Sequence, residues 1–127
     1  MKNRLLILAL YLFCAVPAFS QGMTKAQELR NHIETSISGT KDVDRGHPIS
    51  DTVRSVIENT SSYVVGMADA WNSDNPGFVP NNVGWLELMG VVQRYIDAHP
   101  EKLQDKAASV AKLAVIEAYH SNKKVKR

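Results

Sequence analysis

Four histidines, thirteen carboxylates and a short loop flanked by aromatic residues hold whatever chemistry this 127-residue chain can perform. His32, His47, His99 and His120 are spread along the sequence, and no two share the spacing of a metal pair on one helical turn. There is no His-Glu-x-x-His motif and no Cys/His cluster, so neither a metal nor another cofactor is expected. His99 stands directly before Pro100, a position suited to packing against or capping the end of a helix. Ser61 and Ser62 lack the strained Gly-x-Ser-x-Gly turn and oriented base that a serine nucleophile requires. They are expected to be solvated or bonded back to their own helix. Asp69 and Asp74 are the nearest pair of carboxylates for acid–base work; a surface or loop-tethering role is the plainer expectation. No catalytic residue is assigned, and the chain is not expected to be an enzyme.

Binding chemistry is better represented. Trp71, Phe78 and Trp85 bracket the turn-rich segment Asn72, Ser73, Asp74, Asn75, Pro76 and Gly77. Aromatic residues ringed by polar neighbours are the usual anchors of protein interfaces. Composition therefore nominates Trp71, Asn72, Asp74, Asn75 and Phe78 as the partner-binding set. Trp71 and Trp85 also fall at helical spacing and are expected to sit mostly in the core. Phe78, between Gly77 and Val79, reads equally as a buried lid or an exposed anchor.

These residues need elements to position them. Lys2 and Arg4 precede an apolar run ending at Pro17, and Ala18, Phe19 and Ser20 supply a cleavage site, the pattern of a secretory signal peptide spanning 1–20. The run is too short for a transmembrane helix, which needs about 20 apolar residues. The only cysteine, Cys14, lies within it, so the exported protein is expected to carry no thiol. The net charge of +2 includes Lys2 and Arg4. Four more cations, Lys123, Lys124, Lys126 and Arg127, form a basic tail over 121–127, expected to be a disordered, solvated end. The body between has 9 basic and 13 acidic residues, a balance that favours a basic partner and disfavours nucleic acid.

Apolar periodicity then predicts one all-α domain over 21–120, a bundle of about four helices. A capping box at Thr24 and Gln27 opens a first helix over 24–37, with Ala26, Leu29, Ile33 and Ile37 facing inward. Residues 38–48 are polar, contain Gly39 and Gly46, and read as a surface loop. Ser50 and Asp51 start a second helix whose buried face carries Val53, Val56, Ile57, Thr60, Val64, Met67, Ala68 and Trp71. Gly66 interrupts it at a cost of about 1 kcal/mol, which predicts close approach of another helix there. Residues 72–82 form the longest loop. A third helix carries Trp85, Leu88, Met89, Val92, Tyr95, Ile96 and His99, limited by Pro100. The last, over 104–119, is apolar around most of its circumference and is expected to lie centrally.

Several of these residues also carry a resemblance. Tyr63, Gly66, Asp69 and Ala70 match a Tyr-x-x-Gly-x-x-Asp-Ala helix. Val79-Pro80 leads into Leu88-Met89-Gly90-Val91-Val92, then His99-Pro100-Glu101, Ala107-Ala108 and Ala118-Tyr119. In order and spacing this resembles the Rap/Tai-type immunity proteins of type VI secretion. The family's cysteines, before the Ile/Val-Pro step and near the C-terminus, are replaced here by Phe78 and the Tyr119-His120-Ser121 region. Gly84 also stands where a Ser or Thr cap belongs. The resemblance implies a periplasmic protein that binds a peptidoglycan amidase effector and blocks its active-site cleft, with homodimers as a common state. The alternative is a periplasmic chaperone or stress-related binding module without a single dedicated partner.

Overall fold

The computed structural model describes residues 23–120. The expected signal peptide over 1–20, with Cys14, and the basic tail over 121–127 lie outside the described residues. Four helices form the domain: α1 (Ala26–Asp44), α2 (Asp51–Asp74), α3 (Trp85–Ala98) and α4 (Ala107–Tyr119), with a 3₁₀ turn at Pro100–Lys102. Each helix packs against the other three. The bundle is all-α, and no strand occurs among the described residues.

The start of α1 is displaced by one residue from the expected cap. Glu28, not Gln27, closes the first turn: its carboxylate accepts from the Thr24 amide (2.9 Å), the Thr24 hydroxyl (3.0 Å) and the Lys25 amide (3.3 Å). Gln27 instead accepts from Gln104 across the bundle. The shift has a tertiary cause. The backbone of 24–27 is fastened to the segment before α4, with Ala26 N–H on Asp105 O (2.9 Å), Gln27 N–H on Leu103 O (3.0 Å) and Ala107 N–H on Thr24 O (3.0 Å). The hydrogen bonds from Thr24 and Lys25 hold the Glu28 carboxyl below its ordinary value. A carboxylate whose folded-state pKa is depressed stabilises fully above the ordinary carboxylate range and loses that contribution as pH falls through the lowered value. Glu28→Gln is therefore expected to be less stable than the parent at neutral pH, with the gap closing on acidification. Denaturant melts across pH measure this, and a gap that does not vary with pH would refute the assignment.

α1 also runs seven residues past its expected end at 37, taking in most of the segment read as loop. Small residues at its crossing with α2 explain this. Ser36 is fully buried and its hydroxyl donates to His32 O (2.7 Å), while Thr40 donates to Ser36 O (2.8 Å). At buried Gly39 a Cβ would stand only 2.6 Å from Val53 Cγ1. Polar side chains bonded back to their own helix and a glycine at a close approach look like loop in sequence but are helix here. The loop proper begins at Arg45, where Gly46 takes a positive φ of 75° and its amide bonds to Val43 O (2.9 Å).

α2 opens as expected, with the Ser50 hydroxyl accepting from the Val53 amide (3.2 Å). Gly66 does not lie at a helix crossing: it is exposed, and nothing stands within 4 Å of where its Cβ would be. The close approach belongs to Gly39. Thr60 is fully buried on the inner face and its hydroxyl has no partner among the described residues. Thr60→Val keeps the branched shape and removes an unsatisfied group, so it is expected to stabilise by about 1 kcal/mol. Loss of stability in a urea melt would show instead that the hydroxyl is satisfied.

α3 begins at Gly84 with no side-chain cap, as expected, and ends at His99, whose ring lies 4.4 Å from that of Tyr95. α4 is less central than its composition predicts. Ala107, Val110, Ala111, Ala114, Val115 and Tyr119 are buried, but Leu113 is 41% exposed and Ala108 and Ala118 face solvent. Alanine is apolar without committing a face to the core, which is why the pattern looked uniform.

Candidate functional site

The five nominated residues come together at the C-terminal end of α2, but they do different work. Asn72, in the last turn of α2, clamps Val79 from both sides: its amide nitrogen donates to Val79 O (3.1 Å) and its carbonyl oxygen accepts from Val79 N–H (2.8 Å). Asn75 ends the helix, its backbone and side-chain amides both donating to Trp71 O (2.9 and 3.3 Å). Gly77 adopts a φ of 73°, which turns the chain back, and Phe78 N–H then bonds to Asn75 O (3.1 Å).

Phe78 is a buried lid, only 5% exposed, and meets Trp71 edge to face with centroids 5.8 Å apart. Trp71 is half-buried, with the Lys112 ammonium 4.7 Å from its ring centroid and its indole N–H buried without an acceptor among the described residues. Trp71, Asn72, Asn75 and Phe78 therefore build the turn. What it offers to solvent is Ser73, Asp74, Pro76 and Gly77. Asp74 is the one nominated residue fully available for contact, and Lys112 is a contributor from α4 that local sequence pattern gave no means of finding.

The other candidates are scattered. Asp69 and Asp74 are both exposed, and neither lines either of the two surface clefts described here. Ser61 donates back to Glu58 O (3.0 Å). His47 sits 3.9 Å from Asp42, and His99 contacts Glu101 at 3.1 Å. The Glu101 carboxyl is held low, first by its own backbone N–H and then by His99. No group of three His, Asp or Glu side chains among the described residues is arranged to hold a metal, and no described helix is long and apolar enough to cross a membrane.

Of the two clefts, the first, about 440 Å³, lies between the C-terminal half of α1 and the start of α2, with Glu34 and Asp42 on one wall and Pro48 and Ile49 on the other. The second, about 380 Å³, lies between α3 and α4 and is lined by Val91, Arg94, Tyr95, Ala98, Ala114, Glu117 and Ala118. Close to it, Tyr119 donates to Glu87 at 3.5 Å; burial first, and then the Glu87 charge, push its phenol above the ordinary range. The helical spacing of 91, 94, 95 and 98 was visible in sequence, but no pattern paired it with α4. Comparison with protein-family models, curated proteins and solved structures finds no match to this chain.

Proposed function

We propose that this chain is an exported immunity protein that acts in the periplasm, binding a peptidoglycan amidase effector of type VI secretion and occluding its active-site groove. It makes and breaks no bonds itself. The observation that carries this reading is the pre-organised turn after α2. Asn72, Asn75, Trp71 and Phe78 fix its backbone from within, leaving Asp74, Pro76 and Gly77 exposed as a contact surface whose shape does not have to be ordered on binding. Pre-organisation of this kind lowers the entropic cost of association, and an inhibitor of a hydrolase that turns over continuously needs slow dissociation. Nanomolar affinity corresponds to about −12 kcal/mol, within reach of an interface of roughly 1,600 Å². The resemblance of the motif order to the Rap/Tai-type proteins points the same way, and homodimerisation would enlarge the available surface.

The test is inhibition of an amidase encoded beside this chain's gene. The parent protein should abolish cleavage of peptidoglycan at equimolar ratio. Asp74→Lys and Ser73→Arg, both at exposed positions, should relieve that inhibition without lowering the melting temperature. An amidase left fully active by the parent protein sinks the reading.

One observation favours the second reading, a periplasmic chaperone or stress-related binding module. Val43, Val65, Leu86 and Leu113 are large, exposed and apolar, one on each helix. That reading predicts suppression of aggregation of unrelated unfolded proteins, which an immunity protein would not produce.

A further inference from the structure

The cleft between α3 and α4 has features that the turn after α2 lacks. Buried Val91 and Ala114 line it together with half-buried Tyr95, and exposed Ala98 and Ala118 border it. Arg94 on α3 and Glu117 on α4 stand on opposite rims, both exposed. Neither makes an ion pair with any described residue, and they do not pair with each other. Arg94 has room to lie back along its own helix because position 90 is glycine: a Cβ there would stand 3.2 Å from its Nη1.

We propose that this cleft binds a small zwitterion of the amino acid or dipeptide class, its carboxylate on Arg94 and its ammonium on Glu117. The guanidinium offers a planar fork that matches a carboxylate with two parallel hydrogen bonds. A carboxylate accepts from an ammonium with comparable geometric freedom. Two opposite charges lining one cleft, left unneutralised by each other, complement a ligand carrying both charges. Alanine walls admit a small side chain and give a large one no depth. The volume lies near the lower end of the usual range for ligand sites, about 300 to 1,000 Å³. This site is separate from the turn after α2, so it does not depend on which partner that turn engages.

The experiment is an NMR titration of the full exported chain with alanyl-alanine, free alanine, N-acetyl-alanyl-alanine and alanyl-alanine amide. Alanyl-alanine should give saturable shifts at the amides of Val91, Ala98, Ala114 and Ala118. Blocking either terminus should weaken binding about fivefold, as expected for one exposed charge pair. The two source classes separate by affinity: a dipeptide site prefers alanyl-alanine to alanine, an amino acid site the reverse. Arg94→Gln should abolish the penalty for amidation while keeping that for acetylation, and Glu117→Gln should do the opposite. Both substitutions are on exposed positions, and circular dichroism checks that the fold is kept. Absence of saturation, or equal binding of the blocked and free dipeptides, overturns the proposal, whatever the outcome of the amidase test.

Discussion

Asn72→Ala is expected to lower the free energy of unfolding by about 2 to 4 kcal/mol. The substitution removes two hydrogen bonds at once and leaves the N–H and C=O of Val79, a residue 3% exposed, with no side-chain partner. Each buried backbone group left unsatisfied costs about 1 to 3 kcal/mol. Asn72→Asp is the informative comparison. It keeps an acceptor for the Val79 amide but turns a donor into an oxygen facing the Val79 carbonyl, so it should be destabilising at neutral pH and less so in acid. Denaturant unfolding gives the magnitude, and hydrogen exchange at the Val79 amide localises it. Should both variants unfold with the parent's midpoint, Asn72 does not hold the turn. The proposed function then loses its main support, because a turn that is not fixed beforehand gains nothing in slow release.

The second large effect is a pair of identical substitutions with opposite outcomes. Gly66→Ala adds a methyl group to an exposed helical position with open space around it and should stabilise by about 1 kcal/mol, the propensity difference alone. Gly39→Ala adds the same methyl group 2.6 Å from Val53 Cγ1 and 3.1 Å from Ile57 Cδ1. Overpacking of this kind costs about 1 to 3 kcal/mol, which outweighs the helix-propensity gain. The melting temperature should therefore rise for one variant and fall for the other. If the Gly39 variant were also stabilised, α1 and α2 would not cross where described.

That pair also shows how far the sequence could be read. Periodicity found the inner faces of all four helices, because Leu29, Ile33, Val64, Ala68, Leu88, Met89, Ile96 and Val110 are apolar, buried and regularly spaced. It could not tell which glycine lies under a neighbouring helix, since glycine makes no side-chain contact and its role depends on a chain segment elsewhere. The end of α1 was misread for the same reason: Ser36, Gly39 and Thr40 are polar or small, and only the approach of Val53 and Ile57 makes a helix the economical solution there. At the turn, composition correctly gathered Trp71, Asn72, Asn75 and Phe78 into one unit. It could not separate the residues that build the unit from Asp74, which faces outward, because that division depends on the return of Val79 to Asn72. The α3–α4 cleft escaped notice because its two charges lie 23 positions apart in sequence on different helices.

The fastening of 24–27 onto 103–107 sets the order in which the domain can be completed. Ala26 and Gln27 find their backbone acceptors only in Asp105 and Leu103, and Thr24 O receives the Ala107 amide. A chain delivered from its N-terminus presents the head of α1 first and the residues that satisfy it nearly eighty positions later. Local helix formation can begin early, yet the first turn of α1 stays unlatched until the beginning of α4 arrives. Closing so wide a loop is slow compared with forming a helix. The head of α1 is thus fastened only once the segment before α4 is in place.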